Sequence, residues 1–91
     1  AKTDTFSVIE YFGGGMKKLT QDLFIWAPDW VKSAAVDSDG YVWGYSVDTL
    51  FLSIGDKGDK WTAKFGRCMC LGTGYDTTNW QNSAIDREVQ P

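Results

Sequence analysis

Two aspartates, Asp37 and Asp39, are the first candidates for chemistry, because paired carboxylates can bind a cation or exchange a proton with a substrate. With Asp48 they occupy positions 1, 3 and 12 of a calcium-binding loop. Gly40, however, stands at position 4, whereas the sharp bend of such a loop needs glycine at position 6, and Tyr41 occupies a ligand position. This spacing is typical of a tight turn, and we predict a turn rather than a metal site.

The chain has no histidine and only two cysteines, Cys68 and Cys70. Histidine is the usual general base near neutral pH and the commonest metal ligand. In an extended segment the two thiols lie on one face with Cα atoms about 6.5–7 Å apart, a poor distance for a disulfide, and zinc needs four ligands. We therefore predict a protein that is not an enzyme and has no metal or cofactor. We expect both cysteines to be buried as small apolar side chains.

Aromatic side chains are the main resource for binding, since five Trp, five Phe and four Tyr make up 15% of the 91 residues. Some of these rings must form the core of so small a domain, and others can act as rigid anchors for a partner. Tyr41, Trp43 and Tyr45 alternate along one strand and so share a face. We predict that these three residues, with Trp61 on a following strand, bind the partner.

The charges exclude one class of partner and suggest another. Nine basic and twelve acidic residues give a net charge of −3, and the basic residues form no stripe, so direct nucleic-acid binding is not expected. A small nucleotide is an alternative ligand, because aromatic rings stack on bases and Lys57, Lys60 or Arg67 can neutralise phosphate. The nucleotide alternative implies an oligomer, because a single domain of this size has little room for an enclosing pocket.

The element that must position the aromatic residues is a β-hairpin over residues 31–46. Lys32, Ala34 and Val36 alternate along its first strand, and the turn over 37–40 leads into the aromatic return strand. Gly40 suits a positive φ there, and the side chain of the preceding aspartate can hydrogen-bond the backbone of the turn.

The N-terminal part of the chain predicts a helix. Met16, Leu19, Leu23 and Trp26 are spaced three, four and three residues apart, which places them on one helical face. Before them, residues 5–12 fit either a helix or a strand, and both alternatives stay open.

The remaining segments predict further strands. Residues 49–54 and 61–65 read as two strands joined by a charged, glycine-bearing loop. Residues 67–71 form a continuation or a separate strand, and residues 80–85 a turn of helix or an edge strand. We predict an α+β fold: a single domain over residues 1–91, with an N-terminal helix packed on an antiparallel meander of four to five strands, in which sequential strands pair. Residues 1–3 and 86–91 are expected to fray.

The chain also resembles a class of small accessory proteins encoded by tailed bacteriophages. The resemblance rests on a P-x-W-x-K motif at residues 28–32, an A-x-D-x-x-G-x-x-W-x-Y hairpin at 35–45, the Leu71-Gly72 step and a closing W-x-x-S at 80–83. It covers residues 26–83 and departs from the class between Val47 and Lys64, where an apolar strand replaces a proline-bearing loop. The resemblance implies a protein that binds a host macromolecule. It provides no catalytic residue that could be assigned to this chain.

These observations predict a non-enzymatic, phage-type binding protein that inhibits or redirects a host macromolecule, most simply a host protein, in host takeover or counter-defence. A nucleotide-sequestering oligomer and a minor structural protein of the virion are the alternatives. No apolar run approaches the roughly 18 residues that a membrane helix requires, and no secretory signal pattern is present, so we expect a cytoplasmic location in the host cell with no membrane partner.

Overall fold

The structure, a computed structural model, describes residues 17–89. In chain order its elements are the 3₁₀-helix η1 (Gln21–Ile25), strands β1 (Ser33–Val36) and β2 (Val42–Tyr45), the 3₁₀-helix η2 (Thr49–Phe51), strands β3 (Leu52–Ile54), β4 (Trp61–Ala63) and β5 (Cys68–Gly72), the 3₁₀-helix η3 (Trp80–Asn82) and strand β6 (Ile85–Asp86). None of the helices in this part of the chain is long and apolar enough to cross a membrane. The open question of residues 5–12 lies outside the described residues.

Two antiparallel sheets form the described domain. The larger sheet has the order β5-β2-β1-β6, and the smaller one pairs β3 with β4. The predicted hairpin is confirmed, since β1 and β2 pair in register with Ala35 opposite Trp43. Its turn contains Gly40 at φ +86°, and the Asp39 carboxylate accepts a hydrogen bond from the Tyr41 N–H at 3.0 Å.

The predicted meander is wrong, because sequential strands do not pair throughout. Strand β2 pairs with β5 and β1 with β6, whereas β3 and β4 pair with each other in a separate sheet. The β3–β4 hairpin instead lies over one face of the larger sheet, where Leu52 packs with Ala35 and Tyr45. A strand hairpin this short buries its apolar side chains by covering a sheet face, and so becomes a second layer.

The predicted N-terminal helix is also wrong, since residues 17–26 contain only η1. Phe24 of η1 is buried, and so is Ala27, which lies two residues after η1 and continues its three-residue pattern by donating a backbone hydrogen bond to the Phe24 carbonyl at 3.3 Å. The spacing of an α-helix predicted Trp26 on the buried face, but Trp26 is 87% exposed. Pro28 disfavours helical geometry at Ala27 and ends the segment before an α-helix of stable length can form. The described part of the chain is thus mostly antiparallel β structure with no α-helix.

Apolar cores lie on both faces of the larger sheet. Alternation along β1 sends Ala34 and Val36 into one core and Ala35 into the other, so every residue of this strand is buried. The first core also contains Phe24, Ala27, Val31 and Val42, and the second contains Tyr45, Val47 and Leu52. Gly44 of β2 is required by this packing, because a Cβ there would lie 2.7 Å from Leu71 and 2.8 Å from Val31.

Arg87, which follows β6, connects this part of the chain to η1 and the segment after it. Its guanidinium donates to the carbonyl of Pro28 at 2.8 Å, to that of Val31 at 3.0 Å and to that of Phe24 at 2.9 Å. Arg87 falls in the segment 86–91 that the sequence analysis expects to fray, and its side chain makes these three hydrogen bonds. The polar composition of the tail gave no sign of these contacts, because all three acceptors are backbone atoms.

Candidate functional site

The four aromatic residues predicted to bind a partner meet in one groove. Tyr41, Trp43, Tyr45 and Trp61 all line a groove of about 470 Å³. It lies between the β2–β5 part of the larger sheet and the β3–β4 hairpin. Strand alternation places Trp43 and Tyr45 of β2 on this face and Val42 in the first core, and the β3–β4 hairpin brings Trp61 opposite the two rings.

The four rings reach different depths in this groove. Tyr41 is 44% exposed, Trp43 and Trp61 are half-buried, and Tyr45 is only 3% exposed. The Tyr45 hydroxyl donates to the Trp61 carbonyl at 3.4 Å, and burial, with the nearby Asp37 carboxylate, raises the pKa of Tyr45. Tyr45 therefore forms the floor, while the other three rings present surface to a ligand.

Trp61 is held in place by hydrogen bonds in addition to packing. Its backbone N–H donates to Asp37 Oδ1 at 2.9 Å, and its indole Nε1–H donates to the Trp80 carbonyl at 3.0 Å. The Trp61 carbonyl in turn accepts a hydrogen bond from the Tyr45 hydroxyl. These contacts join the β3–β4 hairpin to the larger sheet and fix one wall of the groove, so a ligand meets a ring that is already oriented.

Asp37 is the buried charged residue of the groove, only 3% exposed. Burial raises the pKa of its carboxyl group, the Trp61 N–H opposes this shift, and the nearby Asp39 carboxylate adds to it. Asp39 accepts the turn hydrogen bond from Tyr41. Both carboxylates thus have structural roles, and within residues 17–89 no group of three or more acidic or cysteine side chains is arranged to hold a metal ion.

The three cations predicted to neutralise phosphate are not equivalent. Lys60 and Arg67 line the groove, and Lys57 does not. The Arg67 guanidinium lies 4.0 Å from the centroid of the Trp30 ring, and Trp30 packs against the first core, on the opposite face of the sheet. Because the Arg67 guanidinium is already stacked on Trp30, Lys60 is the remaining candidate for an anionic ligand.

Cys68 and Cys70 are both exposed free thiols, so the prediction that they are buried is wrong. In β5 it is Met69 and Leu71 that pack on the first core, and the cysteines point to the other face. On that face the second core gathers around Ala35 and Tyr45 and does not extend to β5. Cys68 therefore forms part of the groove.

The sequence analysis considered Asp37 as part of a turn, as a metal ligand or as a group that exchanges a proton. It did not predict that Asp37 lines the groove. A signal was present in the sequence, because Asp37 directly follows the apolar residues Ala34, Ala35 and Val36. Trp26 was assigned to the core and is instead the most exposed tryptophan of the described residues, outside the groove. No protein-family model, curated protein or solved structure matches this chain.

Proposed function

We propose that this protein is a non-enzymatic binding protein that uses the aromatic groove to hold a host macromolecule and so inhibit or redirect it. The observation that carries the proposal is the pair of half-buried rings, Trp43 and Trp61, on facing sides of an open groove. Tryptophan and tyrosine dominate the binding energy of protein interfaces, since they contribute large contact areas with little conformational entropy to lose.

The rigidity of the groove supports the same proposal. The backbone of Trp43 is held by pairing with Ala35 on one side and Cys70 on the other, and Trp61 is held by hydrogen bonds to Asp37 and Trp80. A preorganised surface loses less entropy on binding than one that must order its anchors. A groove with rigid walls suits the recognition of a side chain or short segment of a partner protein.

The nature of the partner follows from the resemblance to phage accessory proteins. Proteins of that class commonly act by binding and blocking a component of the host. We therefore place the partner among host proteins and the site of action in the host cytoplasm. The net charge of −3 supports a partner with a basic surface, because electrostatic attraction speeds the encounter.

The test is affinity capture from host lysate with the wild-type protein, Trp43→Ala and Trp26→Ala, followed by calorimetry with the purified partner. Trp26 is the matched control, since it is a tryptophan that is 87% exposed and lies outside the groove. We expect Trp43→Ala to weaken binding by about 2 kcal/mol or more, roughly 30-fold, and Trp26→Ala to leave it unchanged. A folded Trp43→Ala protein that binds the partner with wild-type affinity contradicts the proposal.

A nucleotide-binding protein is the second candidate, favoured by the size of the groove. Its volume of about 470 Å³ lies in the range of small-molecule sites, and Lys60 lines it. This candidate predicts that nucleotides raise the melting temperature and that Lys60→Met abolishes the increase. A minor structural protein of the virion, the third possibility considered, predicts self-association that light scattering detects as concentration is raised.

A further inference from the structure

The groove contains a carboxylate whose hydrogen bonding is incomplete among the described residues. Asp37 is only 3% exposed, and among residues 17–89 its side chain accepts one hydrogen bond, from the Trp61 N–H to Oδ1. A buried carboxylate ordinarily receives several donors, because each oxygen can accept two hydrogen bonds. Within those residues every fully buried side-chain oxygen has a partner. The second oxygen of Asp37 therefore keeps contact with solvent, through the groove that this residue lines.

No cation of residues 17–89 pairs with this carboxylate. The ion pair within residues 17–89 joins Lys18 to Asp76 at 3.2 Å, and neither residue lines the groove. Lys60 attracts Asp37 electrostatically but forms no salt bridge with it, and the Arg67 guanidinium stacks on Trp30. A nearly buried charge without an ionic partner is unfavourable, so a ligand that brings a positive charge gains an interaction that residues 17–89 do not supply.

The walls of the groove suit the same type of ligand. The rings of Tyr41, Trp43 and Trp61 line it beside Asp37 and Asp39. A cation placed on the face of tryptophan or tyrosine is attracted by the negative potential of the ring, and more strongly where water is excluded. Aromatic rings and carboxylates at one site thus act together on a positively charged group.

We propose that the groove receives an arginine side chain of the partner protein, stacked among Tyr41, Trp43 and Trp61, with Asp37 as its counter-ion. This inference rests on the proposed function and names the chemistry that the groove recognises. Arginine fits better than lysine, because the guanidinium is planar, stacks on aromatic faces and directs several N–H donors at a carboxylate. The acidic net charge of the chain is complementary to such a partner.

The experiment uses the full chain labelled with ¹⁵N and titrates it with N-acetylarginine amide and, separately, with N-acetylcitrulline amide. Citrulline has nearly the same shape and keeps N–H donors, but its urea group has no charge. We expect the arginine probe to shift the Trp43 and Trp61 indole signals in a saturable manner and to bind at least about tenfold more tightly than the citrulline probe.

The variants Asp37→Asn and Asp56→Asn make the same change of charge at two places. Asparagine at position 37 still offers an oxygen to the Trp61 N–H, whereas Asp56 is an exposed residue of the β3–β4 loop outside the groove. We expect about tenfold weaker binding of the arginine probe to Asp37→Asn and unchanged binding to Asp56→Asn. If Asp37→Asn does not fold, the comparison of the charged arginine probe with the uncharged citrulline probe on the wild-type protein decides the proposal.

Equal binding of the two probes, or full binding by the folded Asp37→Asn protein, overturns the arginine proposal. If N-acetyltryptophan amide shifts the groove signals and the arginine probe does not, the groove binds apolar groups, and the proposed function stands without the arginine. If no peptide probe binds and a nucleotide does, the second candidate function replaces both. If no probe binds while Trp43→Ala still captures the host protein, both the inference and the proposed function are wrong.

Discussion

At the scale of single residues, Asp37 has the most consequences for the groove. One of its oxygens accepts a hydrogen bond from the Trp61 N–H and so fixes the groove wall formed by the β3–β4 hairpin. Its negative charge lies among the aromatic rings of the groove. The structural role needs only an oxygen acceptor, whereas the proposed binding role needs the charge. Substitutions that separate acceptor from charge can therefore separate stability from binding.

We expect Asp37→Ala to lower the free energy of unfolding by about 1–3 kcal/mol, because the Trp61 N–H loses its acceptor. Asp37→Asn keeps an acceptor and removes a buried charge, so its cost at pH 7 should be under about 1 kcal/mol. Urea denaturation followed by tryptophan fluorescence measures both. Equal losses for the two variants would show that the charge itself, rather than the hydrogen bond, holds the hairpin.

At the scale of elements, the fold depends on contacts between segments that are far apart in sequence. Strand β2 pairs with β5, β1 pairs with β6, and the Arg87 side chain reaches carbonyls of η1 and of the segment that follows it. The sequence predicted the β1–β2 hairpin because its turn is encoded locally by Asp39 and Gly40. It could not predict which strands pair across the later loops, because several short strands of similar composition offer alternative partners.

Arg87 provides a test of one such contact. Arg87→Met keeps the apolar stem and removes the guanidinium, leaving the three carbonyls of Phe24, Pro28 and Val31 without this donor. We expect a loss of about 2–4 kcal/mol in the free energy of unfolding. Arg67→Met is the matched control: it removes a guanidinium stacked on Trp30 at an exposed position, and should cost about 1 kcal/mol or less. A similar loss for both variants argues against a special role for Arg87.

The error at the N-terminal helix has a local physical cause. Leu19 and Leu23 of the predicted apolar face do pack against the first core, where both are partly buried. The period was wrong, because the short segment before Pro28 forms a 3₁₀-helix, in which Phe24 replaces Trp26 on the inner side. A pattern over so few residues does not distinguish periods of 3.0 and 3.6.

At the scale of the whole molecule, two carboxyl groups change the free energy of unfolding with pH in opposite directions. Hydrogen bonds from the Thr78 hydroxyl and N–H, followed by the Lys18 ammonium, lower the pKa of Asp76 to about 2. Its contribution to stability is therefore present above the pKa of the unfolded chain, near 3.8, and is lost as the pH falls toward 2. Burial raises the pKa of Asp37, so its contribution is present below the unfolded value and is lost as the pH rises through the raised pKa.

Urea unfolding of the wild-type protein, Asp76→Asn and Asp37→Asn between pH 2 and 7 measures both effects. The stability advantage of the wild type over Asp76→Asn should shrink as the pH falls from about 4 to about 2. Relative to Asp37→Asn, the wild type should lose stability as the pH rises above about 4. Parallel curves for the wild type and either variant would show that the carboxyl group concerned titrates alike in the folded and unfolded chains.

The two exposed thiols of β5 have a practical consequence. Because Cys68 lines the groove and these are the only cysteines of the chain, a Cys70→Ser protein can carry one environment-sensitive dye at the edge of the binding surface. The emission of that dye would change when the groove is filled, whatever fills it. The molecule thus offers its own attachment point for an optical screen of candidate partners.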